Sequence, residues 1–159
     1  MFRKILLAYD GTLEGAQALR EGALLAKACG AEVVLLSVAP DTAGVKMAEG
    51  VQGGVVAQLV ESHRELLERA VARLKQLGFK PLARLEVGDP APTIGRVARE
   101  VKADLVVVGH HKQSFLSRWW SGSDDKVYLC DHIGCSLLVS CNKISDEAFE
   151  AALKESADA

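Results

Sequence analysis

The sequence has no long hydrophobic run, no excess of basic residues and no recognisable leader, and each absence removes a class of function. No apolar run approaches the roughly 20 residues that a membrane-spanning helix needs. The 19 Lys and Arg residues against 21 Asp and Glu residues give a formal net charge of −2, whereas a general binder of nucleic acid or anionic membranes would show a basic excess. The apolar stretch after Arg3 and Lys4 is too short for a secretory signal, and no small-residue cleavage site follows it. We therefore expect a cytoplasmic protein that binds neither nucleic acid nor membranes.

Cysteine is also scarce, with four residues scattered along the chain (Cys29, Cys130, Cys135 and Cys141). That is too few for a disulfide framework, so we expect reduced thiols that behave as small hydrophobic groups. The spacing of these thiols from the histidines around them matches no standard zinc-ligand pattern, and the sequence predicts no metal site. No serine or cysteine has a recognisable base motif around it, so rapid nucleophilic catalysis is not expected.

The chain alternates regularly between strand-like and helix-like segments. Strands are predicted over residues 3–9, 32–39, 79–87, 105–108 and 136–141, and helices over 13–29, 55–77, 90–101 and 124–133. The run from Leu105 to Val108 is continuously apolar, which is typical of a strand buried on both faces of a parallel sheet. The third strand alternates apolar and polar residues, which places it nearer an edge. The fold class predicted is α/β: an open, doubly wound, mostly parallel five-stranded sheet with helices on both faces, similar to a Rossmann fold.

Several single residues predict where helices begin and end. Thr12 can cap the first helix and Gly30 can close it, because glycine readily adopts the left-handed conformation of a C-terminal cap. Asp89 is the expected cap of the third helix, with Pro90 at its first position. His63 interrupts the apolar face of the second helix, where we expect it to be partly buried with its polar groups satisfied. Residues 1–141 form one predicted domain, and residues 142–159 a separate tail whose pattern is compatible with a short helix.

Candidate binding groups follow the predicted strands at their carboxyl ends, where ligands bind in open α/β sheets. Asp10 offers a carboxylate for a ribose hydroxyl, an adenine amino group or a metal ion, and Val38 offers an apolar wall for a flat base. Gly109, Gly122 and Ser123 offer backbone N–H groups and a hydroxyl for phosphates at the start of the helix predicted over 124–133. The sequence lacks a Walker A motif and a G-x-G-x-x-G motif, so the P-loop and dinucleotide-binding classes are excluded.

Together these motifs resemble the universal stress protein family over residues 3–141. The resemblance rests on D-G-T after the first strand, V-G-D-P before the third helix, D-L-V-V-V-G, and G-S followed by an apolar strand. It implies an adenine nucleotide alpha hydrolase-like fold, a cytoplasmic stress-response regulator that binds AMP or ATP, with or without Mg²⁺, and a homodimer formed through the last strand (residues 136–141). Members that bind ATP carry G-x-x-G, nine residues, then G-S or G-T. Here Gly109 and Gly122-Ser123 fit that spacing, with Lys112 in place of the second glycine. The residues that the resemblance implies for nucleotide binding are Asp10, Gly11, Thr12, Val38, Ala39, Gly109, His110, Lys112, Gly122, Ser123 and Asp124.

Two departures from the family pattern bear on the phosphates. Lys112 crowds the loop where a glycine would fit, yet its ammonium adds positive charge and three donors. Asp124 places a carboxylate in the first helical turn, where it uses the helix dipole and repels a phosphate. We therefore expect AMP to be favoured, or ATP not to be strongly preferred. Two alternatives stay open at this point: an interaction module of the same fold that has lost the nucleotide, and an enzyme that slowly hydrolyses ATP or transfers a nucleotidyl group.

Overall fold

The structure is a computed structural model that describes residues 1–40, 54–110 and 132–155. Its strands are β1 (Lys4–Ala8), β2 (Glu32–Pro40), β3 (Leu82–Gly88), β4 (Leu105–Gly109) and β5 (Ser136–Ser140). The helices in the described ranges are α1 (Leu13–Cys29), α2 (Gly54–Gln76), α3 (Pro90–Val101) and α4 (Asp146–Glu155). All strands are parallel, in the order β3-β2-β1-β4-β5. The predicted fold class is confirmed, and β1 rather than β4 lies at the centre of the sheet.

The sheet is covered on both faces, which explains the continuous apolar runs of its inner strands. Leu6 of β1 is paired with Val34 of β2 and Val106 of β4, and all three side chains pack on the face that α3 covers. The alternate residues of the same strands, Ile5 and Leu7 among them, pack on the opposite face with α1, α2 and α4. Burying one such side chain contributes about 1.5–3 kcal/mol, so both faces are needed to hold the central strands.

The helix ends follow the local signals. The Thr12 hydroxyl accepts a hydrogen bond from the Gly15 N–H at 3.0 Å, and Gly30 ends α1 with φ +64°. Pro90 lies in the first turn of α3, as predicted. Asp89 occupies the cap position before it, but its side chain makes no capping hydrogen bond, so that prediction is only half right. Among the described helices, none combines the length and the apolar composition needed to cross a membrane.

The third strand is the edge strand that its alternation predicts, but it starts three residues later than expected. The N–H of Phe79 donates to the carbonyl of Leu74 at 3.0 Å, and Gly78 adopts φ +86°. This pair of features closes α2, so Phe79 belongs to the helix end rather than to the strand. The apolar side of this alternating strand is not fully buried, since Val87 is 49% exposed.

The tail forms α4 and packs against α1 and α2. Phe149 is 2% exposed and Leu153 is buried beside it, whereas Ala148 is exposed. The Ser145 hydroxyl caps the helix by accepting from the Ala148 N–H at 3.2 Å. Two ion pairs, Arg20 with Asp146 and Arg73 with Glu150, join α4 to its neighbours.

Candidate functional site

A pocket opens at the carboxyl edge of the sheet, where β1 lies between β2 and β4. Residues that line it come from three strand ends and from the starts of two helices, including Asp10, Gly15, Val38, Pro90, Ile94 and Gly109. The strands β2 and β3 lie on one side of β1, and β4 and β5 lie on its other side. The strand order therefore reverses beside β1, and this is the switch point at which open α/β sheets bind ligands. The structure thus brings together Asp10, Val38 and Gly109, three of the residues singled out from the sequence.

The Asp10 carboxylate is held by the residue that caps α1. Its Oδ1 atom accepts hydrogen bonds from the Thr12 N–H at 3.0 Å and from the Thr12 hydroxyl at 2.6 Å. The same hydroxyl accepts from the Gly15 N–H, so one threonine orients both the helix start and the carboxylate. Within the described ranges no hydrogen bond is made to Oδ2. The carboxylate is therefore fixed on one oxygen while the other is open to a ligand.

Gly15 was not singled out from the sequence, yet it makes this arrangement possible. A Cβ added at Gly15 would lie under 3.0 Å from Asp10 Oδ1, closer than real Cβ atoms come to a neighbour. Any other residue here would displace the carboxylate. One signal was available: a glycine in the first turn of a helix costs up to about 1 kcal/mol relative to alanine, so it needs a reason in the packing.

Gly109 ends β4 against the backbone of α1. A Cβ at this position would lie 2.7 Å from the carbonyl oxygen of Glu14 and 3.0 Å from the nitrogen of Gly15. The close approach of two backbones therefore requires glycine here. The next residue, His110, donates its N–H to the carbonyl of Ser140 at 2.9 Å, so this N–H is used in the sheet and is not available to a phosphate.

The other residues predicted to contact the nucleotide differ in how exposed they are. Val38 is 8% exposed and forms part of the pocket wall with Ile94. Ala39 is fully buried and lies outside the pocket lining, so only its backbone could meet a ligand. Gly11 is exposed, with φ +80°, beside the side chain of Leu66. Their roles in binding stay predictions.

Two further titratable groups lie close to the pocket. Burial raises the pKa of the Asp89 carboxyl at the end of β3. His63 is buried, and its Nδ1 lies 2.9 Å from the hydroxyl of Ser37, a residue that is fully buried in β2. Burial lowers the pKa of His63, while the charge of Asp10 acts in the opposite direction. His63 is thus more deeply buried than the partly buried residue we expected, and one of its ring nitrogens has a partner, Ser37, that the sequence does not predict.

Lys112, Gly122, Ser123 and Asp124 lie outside the described residues, so their predicted contacts with phosphates are untested. The helix predicted over 124–133 also falls largely in that segment. Within the described ranges, no group of three or more His, Cys, Asp or Glu side chains is arranged to hold a metal ion.

Two solved structures of the same fold contain adenine nucleotides. A universal stress protein in complex with cAMP aligns with a TM-score of 0.64 and 19% identity, over 87% of this chain and 97% of that one. A universal stress protein family protein from Arabidopsis thaliana with AMP bound gives 0.60 and 15%, over 92% and 97%. At these identities the likeness establishes a shared fold.

The family itself is shown by closer matches. Residues 1–140 match the model of the universal stress protein family. The universal stress protein A homolog of Haemophilus ducreyi is 29% identical over 128 residues, which cover 77% of this chain and 86% of the homolog. A universal stress protein family structure from Burkholderia pseudomallei is 28% identical with a TM-score of 0.67, over 87% and 96% of the two chains. The chain belongs to the universal stress protein family.

Proposed function

We propose that this protein is a cytoplasmic stress-response regulator that binds an adenine nucleotide in the pocket at the carboxyl edge of the sheet, without rapid turnover. The observation that carries the proposal is the Asp10 carboxylate, which Thr12 fixes on one oxygen while the other is open at a pocket with an apolar wall. A flat base needs such a wall, and a ribose hydroxyl or an amino group needs such an acceptor. The two nucleotide-bound structures of this fold support the same choice of ligand.

In this proposal the base lies against Val38 and Ile94, and Asp10 Oδ2 accepts a hydrogen bond from the ribose or the base. The phosphates extend past Gly109 toward the segment that contains Lys112, Gly122, Ser123 and Asp124. A hydrogen bond to a charged acceptor contributes about 1.5–3 kcal/mol. Asp10 is therefore the main polar determinant for the nucleoside part, whatever the number of phosphates.

The phosphate end is proposed to favour AMP, or at least not to prefer ATP strongly. Lys112 would attract negative charge, whereas Asp124, in the first turn of the helix that the sequence predicts, would repel it. The repulsion grows with the charge of the ligand along the series AMP, ADP and ATP. Magnesium would offset it for ATP by screening the outer phosphates.

The protein is further proposed to dimerise through β5. This strand is an edge of the sheet, with β4 on one side, and it carries a central run of three partly buried apolar residues. An apolar edge strand presents unpaired backbone groups that a second copy can satisfy. Pairing of two β5 strands would cover this edge.

The nucleotide proposal is tested by isothermal titration with AMP, ADP and ATP, each with and without Mg²⁺. Asp10→Ala should lower the affinity for all three by a similar factor of about 10 or more, which corresponds to the loss of about 1.5–3 kcal/mol. Asp104→Asn serves as the control, because Asp104 accepts hydrogen bonds from the backbone at the opposite edge of the sheet. If none of the three nucleotides binds, the result would favour the nucleotide-free interaction module instead. Turnover of ATP in the presence of Mg²⁺ would favour the enzyme.

A further inference from the structure

A second cavity lies between α1, α2 and α4, and it shares one lining residue, Tyr9, with the pocket at the carboxyl edge. Ala16 and Leu19 of α1 and Ala70 of α2 supply its accessible apolar surface, above the buried side chains of Leu74 and Phe149. Tyr9, Arg20 and Arg69 supply polar groups. Its volume is about 310 Å³, which is at the small end of the range for small-molecule sites. Nothing in the proposed function uses this cavity.

The arginines around the cavity differ in their partners. Arg20 forms an ion pair with Asp146 of α4 at 2.9 Å and donates to the carbonyl of Ile144 at 2.8 Å. Arg73 forms an ion pair with Glu150 of the same helix. Arg69, one turn before Arg73 on α2, makes no hydrogen bond or ion pair within the described part of the chain. Helix α4 thus supplies carboxylates to two of these three guanidinium groups and leaves the third without one.

Tyr9 presents a hydroxyl to the same cavity. It is half-buried at the end of β1 and, among the described residues, its hydroxyl has no hydrogen-bond partner. Burial and the nearby Asp10 raise the pKa of the Tyr9 phenol, against the opposing charges of Arg69 and Arg20. The hydroxyl therefore keeps its proton at neutral pH and can donate a hydrogen bond to a ligand.

We infer that this cavity binds a small organic monoanion, with a carboxylate that accepts from Arg69 and the Tyr9 hydroxyl and an apolar body against Ala16, Leu19 and Ala70. Guanidinium groups bind carboxylates with two parallel N–H···O bonds, and a phenol hydroxyl adds a third donor. Since two of the three arginines already have carboxylate partners, the site has room for one negative charge. A ligand body of the size of an aromatic ring fits a cavity of this volume.

The probe is phenylpropionate, and phenylpropanamide, which has the same body without the charge, is the matched ligand. Binding is measured by titration and by amide NMR spectra of the whole protein. Phenylpropionate should bind saturably, about fivefold or more tightly than the amide, because only the acid pairs with a guanidinium group. Its NMR shifts should fall on Leu19, Ala70, Leu74 and Phe149. Shifts centred on Val38 and Gly109 would place it in the pocket at the carboxyl edge and overturn the inference.

Two variants identify the anchor. Arg69→Gln should reduce phenylpropionate binding to the level of the amide, and Tyr9→Phe should weaken it by a smaller factor. Arg64→Gln is the control, since Arg64 is an exposed arginine of the same helix that pairs with Glu61 at 3.4 Å. Arg69 is exposed, so its replacement should leave the fold intact, which circular dichroism checks. Equal binding of acid and amide, no binding of either, or equal effects of the Arg69 and Arg64 variants would each refute the site. None of these outcomes depends on whether the protein binds a nucleotide.

Discussion

The replacement Gly15→Ala tests how the Asp10 carboxylate is positioned. In an exposed helix interior this change would stabilise the protein by about 1 kcal/mol, because alanine is the better helix former. Here the new Cβ would lie under 3.0 Å from Asp10 Oδ1, so the carboxylate must move. Its two hydrogen bonds from Thr12 would then be weakened or lost. Since Asp10 is partly exposed, we expect that loss to cost about 2–3 kcal/mol in total.

The balance predicts a net destabilisation of about 1–2 kcal/mol, measured as the free energy of unfolding in urea. Nucleotide affinity should fall by a factor similar to that of Asp10→Ala, since the acceptor is no longer in place. In the Asp10→Ala background the nearest atom to the new Cβ becomes Thr12 Oγ1 at 3.2 Å. The same Gly15→Ala change should then become stabilising, by up to about 1 kcal/mol.

This reversal of sign separates the proposed contact from a general effect on α1. The two variants should show a coupling energy of about 2–3 kcal/mol in a double-mutant cycle. Leu13→Ala, in the same first turn but with an exposed side chain, should change neither the coupling nor the nucleotide affinity. If Gly15→Ala stabilises the natural protein by about 1 kcal/mol and leaves AMP binding unchanged, Asp10 is not held as described.

Four further changes test the core, the dimer and the phosphate end. Burial lowers the pKa of His63 in the folded state from 6.5, so its contribution to stability is present above pH 6.5 and is lost as the pH falls below that value. His63→Gln should flatten this loss in urea unfolding at several pH values, and equal slopes would show that another group causes it. Leu138→Lys should convert a dimer to monomer or aggregate in light scattering, because it places a charge between the two paired β5 strands. An unchanged dimer would show that the interface lies elsewhere. Asp124→Val should improve ATP affinity far more than AMP affinity in titrations, and Lys112→Gly should weaken ATP if the ammonium is the phosphate ligand or strengthen it if the loop is strained. ATP binding that already exceeds AMP binding and is unaffected by Asp124→Val would show that Asp124 points away from the phosphates.

The sequence predicts those parts of the fold that rest on local chemistry. Thr12 and Gly30 are correct because a cap is a contact between a residue and the backbone a few positions away. The parallel arrangement of the strands follows from their alternation with helices, whereas that alternation leaves the strand order open. The start of β3 was misplaced because Phe79 can serve either a strand or a helix end, and the backbone hydrogen bond to Leu74 decides between them.

Contacts between distant segments could not be read in the same way. Ser37 and His63 are each visible in the sequence, but nothing local shows that the register of β2 places them 2.9 Å apart. Gly15 matters only because the Asp10 side chain folds back onto its helix turn. The docking of α4 depends on the burial of Phe149 against helices far earlier in the chain, which a local pattern of apolar spacing leaves open.

The contact of Gly109 with the first turn of α1 limits which substitutions can change the shape of the pocket. It joins the N-terminal half of the site to the C-terminal half through backbone atoms alone. No side chain lies between them, and a side chain added at Gly109 would force this junction apart. We therefore expect differences in ligand choice between such proteins to come from the side chains that line the pocket and from the sequence that follows Gly109, not from this junction.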